Sequence, residues 1–361
     1  MPTLDSPLRL SNVLKPKIWG RKDLAPLFSP PQGSAAGALT GSGPSEGESI
    51  GEVWITDDMS RFLNGSVAGM TLAEAEAKLG PELHGKAWAG SRFPILAKYI
   101  FTSDWLSVQV HPDDEYARVH EPGNSGKCEM WYIIHADRGA EILMGAKPGV
   151  TKERLKQAFE RGTSKDLLHR FHPKSGEAIF APPGTVHALG PGLVLFEAEE
   201  NSDLTYRLDD FGRVGLDGKL RPLHLSRGLD VIRLEMPLHR NLPRLEFREP
   251  YGKRRYVLAS RFFAVEELNL RKAGHFAASP ERVEVYSILE GEGRVENAAG
   301  WLGYRTGETW LIPPGVGKYR IVPRAETRAL KFYVPNLEED FRRPLARHRV
   351  RPALINKVVF D

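Results

Sequence analysis

The segment GEAIFAPPGTVH at residues 176–187 recurs, with the same spacing, as GETWLIPPGVGK at residues 307–318. In both segments, five residues separate a glycine from Pro-Pro-Gly. A short apolar run that ends at proline and glycine is typical of a β-strand leading into a tight turn. An upstream run recurs as well, as KCEMWYII at 127–134 and as RVEVYSIL at 282–289. The pattern therefore predicts two copies of one antiparallel β unit.

The upstream run and the Pro-Pro-Gly segment lie further apart in the first copy than in the second. The interval from the glutamate of the upstream run to the first glycine of the repeat is 47 residues in the first copy and 23 in the second, a difference of 24. The extra residues coincide with TKERLKQAFERG at 151–162, where Thr151 can cap a helix and Gly162 can end it. We therefore predict a small helical insertion at about 150–172. Chance similarity of two hairpins is the alternative to a duplication, since short motifs recur in unrelated proteins.

Length and turn content predict two mainly β domains. The chain has 361 residues, of which 35 are glycine and 27 are proline. We predict an N-terminal domain over 1–235 and a C-terminal domain over 236–361. The stretch 29–49 is rich in Gly, Ser, Pro and Ala and has little to bury, so it is predicted to be a flexible loop. The capping-box sequence Thr71-Leu-Ala-Glu74 predicts the start of a short helix.

The composition is that of a folded protein without a basic block. Fifty Lys and Arg residues are balanced by 46 Asp and Glu residues, and this net charge of +4 gives no support for nucleic-acid binding. The single cysteine excludes an internal disulfide bond and fits a reducing compartment. No apolar run reaches about 18 residues and no secretion signal is apparent, so we predict no membrane partner and a cytoplasmic location.

Four polar residues from separate predicted strands form a candidate metal site. In SVQVHP, the side chains of Gln109 and His111 lie on one face, because strand side chains alternate. Glu129 in the upstream run and His187 at the end of the repeat add a carboxylate and a second imidazole. Two imidazoles and one carboxylate suit Zn²⁺, and a glutamine carbonyl can supply a further oxygen. The same trio also suits Fe²⁺.

Each of these residues has a simpler interpretation when it is taken alone. His187 alone is more typical of a hydrogen-bonded core histidine, Glu129 of a solvated ion pair, and Gln109 of an amide on a sheet surface. The metal-site hypothesis depends on their joint occurrence with the pattern G-x5-P-x-G-x2-H.

A set of segments around these residues extends the pattern along residues 14–213. They are LKPKIWG (14–20), IGEVW (50–54), FPILAK (93–98), LSVQVHPDD (106–114), GKCEMWY (126–132), PPGTVHA (182–188) and NSDLTYR (201–207). As an ordered set, they resemble the type I mannose-6-phosphate isomerase family, a family of zinc-dependent cupins. The resemblance implies a mainly β fold of two cupin-type (jelly-roll) β-barrels in tandem, with the helical insertion in the first.

The resemblance also implies roles for individual residues. It implies one Zn²⁺ per chain, held by Gln109, His111, Glu129 and His187. It implies five substrate-site residues: Lys98, Ser107, Lys127, Asp203 and Arg207. Among these we predict catalytic roles for two. Lys127 is a candidate base, because a neighbouring dication lowers an ammonium pKa. Arg207 stays charged and suits phosphate or enediolate oxygens. The identity of the base stays open.

The predicted function is an aldose–ketose isomerase that interconverts mannose 6-phosphate and fructose 6-phosphate in mannose metabolism. A proton would move between C1 and C2 through an enediol-type intermediate. The expected partner is a small sugar phosphate, and the sequence leaves open whether the protein is a monomer or a homodimer. An Fe(II)-dependent cupin oxygenase and a non-catalytic sugar-binding cupin are the alternatives. Three cations, Lys98, Lys127 and Arg207, fit an anionic sugar phosphate better than they fit O₂ chemistry.

The second copy lacks the ligand pattern of the first. Lys318 aligns with His187, and no Gln-x-His precedes Glu284. We therefore predict that the C-terminal unit holds no catalytic metal.

Overall fold

The computed structural model describes residues 4–28, 48–88, 90 and 92–361. The predicted flexible loop at 29–49 therefore lies outside the described residues, except for its last two positions. No helix of the described chain has the length and hydropathy needed to cross a membrane.

Strands dominate these residues, as predicted. The strands up to residue 235 are β1 (Leu8–Leu10), β2 (Val13–Arg21), β3 (Ile50–Trp54), β4 (Ile95–Phe101), β5 (Val108–Val110), β6 (Glu129–Ala136), β7 (Ile142–Ala146), β8 (Leu168–Phe171), β9 (Ala178–Ala181), β10 (His187–Leu189), β11 (Leu193–Glu200) and β12 (Tyr206–Asp209). The later strands are β13 (Leu245–Glu249), β14 (Gly252–Ala259), β15 (Ala264–Leu270), β16 (Gly274–Ala277), β17 (Glu284–Glu290), β18 (Glu292–Asn297), β19 (Gly300–Arg305), β20 (Thr309–Ile312), β21 (Lys318–Pro323) and β22 (Thr327–Tyr333).

Short helices connect the strands. The α-helices are α1 (Leu72–Leu79), α2 (Pro81–His84), α3 (Asp114–His120), α4 (Lys152–Arg161), α5 (Leu225–Val231), α6 (Arg343–Arg347) and α7 (Pro352–Ile355). The 3₁₀ turns are Gly65–Val67, Ser164–Leu167 and Pro314–Val316, and Glu338–Arg342 is a π-helical turn. Both helix starts predicted from the sequence are confirmed, because Thr71 caps α1 in a capping box and Thr151 caps α4.

The strands form four sheets that pair into two units. The first unit has a six-stranded sheet, β2-β3-β4-β11-β6-β9, and a five-stranded sheet, β12-β5-β10-β7-β8. The second unit has a seven-stranded sheet, β1-β20-β17-β22-β15-β14-β13, and a four-stranded sheet, β16-β21-β18-β19. The mainly β, cupin-type fold predicted from the sequence is confirmed. Among the described residues, no ladder joins the edge strands of the two sheets of a unit, so the sheets face each other without closing into a barrel.

The duplication inferred from the repeat is visible in the strand order. The order β9-β6-β11-β4-β3-β2 of the first unit matches β20-β17-β22-β15-β14-β13 of the second. Glu129 pairs with Ala181, and Glu284 pairs with Ile312. Both pairs therefore have the same register relative to the repeated glycine.

The helical insertion lies where the extra residues predicted it. Helix α4 and a 3₁₀ turn lie between β7 and β8, where the second unit has only the tight turn between β18 and β19. The last part of the predicted insertion, 168–171, is strand β8 rather than helix, because its backbone pairs with β7.

The sheets are stacked in layers, with the six- and seven-stranded sheets in the middle. Trp131 and Ile133 on β6 pack with residues of the five-stranded sheet. The intervening side chains, Met130 and Tyr132, pack with residues of the seven-stranded sheet. A sheet that is covered on both faces has continuous apolar strands, which explains why β6 shows no polar face over this stretch.

Strand β1 joins the two halves of the chain. It precedes the predicted boundary at 235/236, yet it pairs with β20 of the second unit, with Leu8 opposite Leu311. The boundary itself stays a prediction.

Candidate metal centre and cleft

Three of the four predicted ligands converge in the first unit. His111 follows β5, Glu129 begins β6 and His187 begins β10. His187 Nε2 lies 3.1 Å from Glu129 Oε1, and His111 Nε2 lies 3.5 Å from the same oxygen. The ligand-type atoms of the three side chains all lie within 4.8 Å of one another. All three side chains are buried, Glu129 completely.

Backbone carbonyls set the tautomer of both imidazoles. His111 Nδ1 donates to the carbonyl of Leu204 at 2.8 Å, and His187 Nδ1 donates to the carbonyl of Thr185 at 2.9 Å. A carbonyl oxygen only accepts hydrogen bonds, so each Nδ1 carries a proton. In the neutral imidazole, each Nε2 then presents a lone pair towards Glu129.

This arrangement fits a bound cation. Burial lowers the pKa of His187 to about 4, although the Glu129 carboxylate opposes the shift. His187 is therefore neutral at pH 7, and its Nε2 lone pair faces a carboxylate. His111 Nε2 and Glu129 Oε1 are buried without a hydrogen-bond partner, whereas Glu129 Oε2 is paired with Lys127. Buried polar atoms are costly unless something satisfies them, and a divalent cation among these lone pairs would do so.

Gln109 lies beside this group but presents its amide nitrogen. Its Nε2 is 3.1 Å from His187 Nε2, and the two residues are neighbours across β5 and β10. A half-turn of the amide exchanges nitrogen and oxygen at nearly the same shape. Gln109 is thus placed to offer a carbonyl oxygen, and its role as a ligand stays a prediction.

A buried charge network lies against Glu129. Lys127 Nζ is 3.1 Å from Glu129 and 2.8 Å from Glu199, while Lys98 Nζ is 2.9 Å from Glu199 and 3.3 Å from Glu197. Two ammonium groups are therefore shared among three buried carboxyl groups.

The pKa shifts in this network follow from burial and from the neighbouring charges. Burial lowers the pKa of Lys127, but the carboxylates of Glu129 and Glu199 outweigh it and hold the pKa above its ordinary value. Lys127 is therefore held as an ammonium by its immediate neighbours.

A cavity of about 220 Å³ opens above this network. The sequence-predicted residues that line it are Lys98, Ser107, Gln109, Lys127, Asp203 and Arg207. His111, Glu129 and His187 are buried beside it and contact one another as described. Six of the nine predicted site residues thus line the cavity, and the other three form a buried cluster that contacts its wall through Gln109 and Lys127. Asp203 is the most peripheral of them, since its side chain is 57% exposed and lies 3.7 Å from Lys98 Nζ.

Several charged residues of the cleft were not predicted from the sequence. Glu197 and Glu199 on β11 lie in the run LVLFEAEE, and their alternation at the end of an apolar strand was an available signal. Arg221 lines the cavity and pairs with Asp210, with its Nε 2.7 Å from Oδ2. It comes from a loop without a regular pattern, so no local signal indicated it.

The second unit has a different arrangement at the corresponding place. Lys318 is exposed, and it is the next residue, Tyr319, that is buried and donates to Glu284 Oε2 at 3.2 Å. The expectation that Lys318 occupies the position of His187 is therefore wrong, because a slip of one residue reverses the face of a strand. Lys331 Nζ lies 2.7 Å from Glu284 Oε1 and provides its counter-charge. Among the described residues, two clusters of His, Cys, Asp or Glu are close enough to hold a metal ion: His111, Glu129 and His187, and Glu129, Glu197 and Glu199. Both clusters lie in the first unit.

The fold and this centre define a two-unit β protein of the cupin type with a His–Glu–His cluster. A sequence profile described as phosphomannose isomerase type I, catalytic domain, matches residues 8–126. Mannose-6-phosphate isomerase ManA of Bacillus subtilis (strain 168) is 35% identical over 324 residues, which are 89% of this chain and 97% of that protein. The chain belongs to the type I phosphomannose isomerase family.

Solved structures support the same assignment of the fold. The crystal structure of mannose 6-phosphate isomerase from Bacillus subtilis superposes with a TM-score of 0.79 at 29% identity, and the match covers 91% of this chain and 99% of that one. A structure described as holo, zinc-bound mannose 6-phosphate isomerase superposes with a TM-score of 0.69 at 16% identity, covering 91% of this chain and 99% of that one.

Proposed function

We propose that the protein is a Zn²⁺-dependent mannose-6-phosphate isomerase that interconverts mannose 6-phosphate and fructose 6-phosphate. One observation carries the proposal: unpartnered, buried ligand atoms of His111 and Glu129 lie beside a cavity lined by cationic side chains. The relatives named above carry the same activity in their names.

His111, Glu129 and His187 would hold the Zn²⁺, and Gln109 would add a carbonyl oxygen. Two neutral imidazoles and a carboxylate make up a donor set that leaves room for substrate oxygens. When bound, Zn²⁺ supplies Lewis-acid stabilisation of negative charge on the sugar oxygens. The two imidazole ligands are oriented by the backbone carbonyls of Thr185 and Leu204.

The phosphate group of the substrate would lie against the guanidinium groups at one end of the cavity. Arg207 and Arg221 line the cavity, and Arg221 and Arg213 both bond to the carboxylate of Asp210. Among the described residues, no other carboxylate is bonded to these two guanidinium groups except Asp104, which pairs with Arg213. Arg207 Nε is buried without a hydrogen-bond partner, while its NH1 donates to the carbonyl of Pro222 at 3.0 Å. A dianionic phosphate supplies the missing charge and acceptors.

The isomerisation moves a proton from C2 of the aldose to C1. In the same reaction, O2 loses its hydroxyl proton and O1 gains one. Negative charge is spread over O1 and O2 between the two transfers. The ammonium groups of Lys98 and Lys127 line the cavity and stabilise that charge as hydrogen-bond donors. Lys127 would act as the base only if a bound dication outweighed the carboxylates of Glu129 and Glu199.

A coupled assay tests the proposal. Purified protein is given mannose 6-phosphate, and fructose 6-phosphate is measured through a coupling enzyme, before and after treatment with EDTA. We expect turnover that EDTA abolishes and that stoichiometric Zn²⁺ restores. Absence of turnover by zinc-loaded protein would contradict the proposal. Ligand binding that survives EDTA without turnover would favour a sugar-binding protein, and activity restored only by Fe²⁺ under anaerobic conditions would favour the cupin oxygenase.

A further inference from the structure

A chain of hydrogen bonds connects Ser202 to the candidate ligand His111. Ser202 Oγ donates to the carbonyl of Ser125 at 2.9 Å and accepts from the backbone N–H of Leu204 at 3.3 Å. The carbonyl of Leu204 in turn accepts from His111 Nδ1 at 2.8 Å. A single buried hydroxyl therefore holds the residue whose carbonyl orients the imidazole.

The segment around Ser202 has no regular secondary structure to hold it in place. Residues 201–205 connect β11 to β12 without belonging to either strand. Asn201 Nδ2 donates to the carbonyl of Phe93 at 2.6 Å, which anchors the start of the segment. Leu204 lies three residues further along, and its N–H bonds to Ser202 Oγ. The position of its carbonyl thus depends on the Ser202 hydroxyl.

The position of the Leu204 carbonyl matters because it sets the tautomer of His111. His111 offers its Nε2 lone pair to a metal only while Nδ1 carries the proton, and the Leu204 carbonyl is the group that keeps it there. Groups that bond to the remote nitrogen of a ligating histidine alter metal affinity by about 10- to 100-fold. Ser202 acts one bond further out, through the backbone.

We propose that Ser202 is a positioning residue for the metal centre: its hydroxyl fixes the carbonyl of Leu204 and thereby the orientation and tautomer of His111. The inference rests on the proposed zinc site. Because Asp203 and Thr205 flank Leu204 and line the same cavity, the hydroxyl also sets where these two side chains enter the cleft. Ser202 itself is not among the residues that line this cavity.

Ser202→Ala tests the inference, with Ser125→Ala as a matched control. The Ser125 side chain also contacts this segment, since its Oγ donates to the carbonyl of Asn201 at 3.4 Å, but Ser202 bonds to the Ser125 backbone carbonyl, which the alanine variant keeps. Zn²⁺ dissociation constants are measured by competition with a chromophoric chelator, and the visible spectrum of each Co²⁺-loaded protein reports the coordination geometry.

We expect Ser202→Ala to bind Zn²⁺ about tenfold more weakly and to show an altered Co²⁺ spectrum, whereas Ser125→Ala matches the wild type within about twofold. Ser202→Thr, which keeps the hydroxyl, should restore both values. Thermal unfolding of the chelator-treated proteins separates a general loss of stability from the effect on the metal. If Ser202→Ala does not fold, Ser202→Thr and Ser202→Cys are compared instead. Because a thiol is a weak hydrogen-bond donor, Ser202→Cys should bind Zn²⁺ more weakly than Ser202→Thr.

Wild-type affinity and spectrum in Ser202→Ala, or in Ser202→Cys where the alanine variant fails to fold, would overturn the inference. An equal loss in Ser125→Ala would overturn it as well, since the effect would then come from the segment as a whole. A wild-type protein that binds no Zn²⁺ would instead refute the proposed metal site, which keeps the two failures distinguishable.

Discussion

Replacing Glu76 by glutamine should stabilise the protein at alkaline pH and have little effect at acidic pH. Glu76 lies on α1 and is 7% exposed, and its Oε1 has no hydrogen-bond partner. Its Oε2 is 3.5 Å from His84 Nε2. His84 Nδ1 donates to the carbonyl of Gly85 at 2.7 Å, so the neutral ring presents an acceptor to the carboxyl group. Glutamine supplies an N–H at this place, as protonated Glu76 supplies an O–H.

The size of the effect follows from the pKa of Glu76. Burial, with a contribution from Asp58, raises this pKa from 4.5 to about 7. Between these values the folded state binds more protons than the unfolded state, so the free energy of unfolding falls as the pH rises through this window. The stabilisation by the protonated Glu76 carboxyl group is fully present below pH 4.5 and is lost as the pH rises through 7. At about 1.36 kcal/mol per pKa unit, the free energy of unfolding of the wild type is lower by about 3 kcal/mol at pH 8 than at acidic pH. Glu76→Gln does not titrate, so it keeps this contribution.

Urea denaturation of the full chain at pH 5 and pH 8, with EDTA present throughout, measures this difference. We expect Glu76→Gln to exceed the wild type by about 3 kcal/mol at pH 8 and by less than about 1 kcal/mol at pH 5. Glu82→Gln on α2 is the control, because Glu82 is exposed and its replacement should change the free energy of unfolding by no more than about 0.5 kcal/mol at either pH. The same gain at both pH values, or no gain at pH 8, would refute the reasoning.

Three further predictions concern the cleft and the second unit. His187→Ala should lose Zn²⁺ and isomerase activity together, as metal analysis and the coupled assay would show, and a variant that keeps both would remove His187 from the site. Arg221→Ala should raise KM for mannose 6-phosphate by about tenfold with a smaller effect on kcat, since a charge-assisted contact to the phosphate is lost; an unchanged KM would place the phosphate elsewhere. Lys318→Ala should leave kcat/KM within about twofold of the wild type, because Lys318 is exposed on the second unit, and a large loss would mean that the second unit takes part in turnover.

Local patterns in the sequence predicted much of the fold. The repeat, the capping residues and the alternation of side chains all act over a few residues, so the duplicated unit and the starts of α1 and α4 were accessible. Whether facing sheets close into barrels depends on contacts between edge strands far apart in the chain, and the local pattern carries no such information. The one-residue slip at Tyr319 depends on the geometry of the preceding turn. Because both copies have Pro-Pro-Gly in this turn, nothing in the sequences indicated that the turns differ.

The candidate site was predictable where its residue types are unusual, and less so where they are common. Histidine and glutamine at strand spacing indicated His111 and Gln109, whereas the glutamates of β11 looked like ordinary charged residues at a strand end. Their importance lies in their burial against Lys98 and Lys127, and burial is a property of the assembled layers. Arg221 reaches the cleft through an irregular loop, and its approach depends on tertiary structure alone.

Strand β1 has a consequence for how the chain can be divided. Its three residues cover the backbone of β20, which would otherwise be the exposed edge of the seven-stranded sheet. An uncovered edge is a template for pairing with other molecules. A fragment that begins after residue 235 would lack this cover as well as the apolar face contributed by the six-stranded sheet. Attempts to produce the second unit in isolation should therefore yield aggregates, and co-expression with the first half should be needed to recover soluble material.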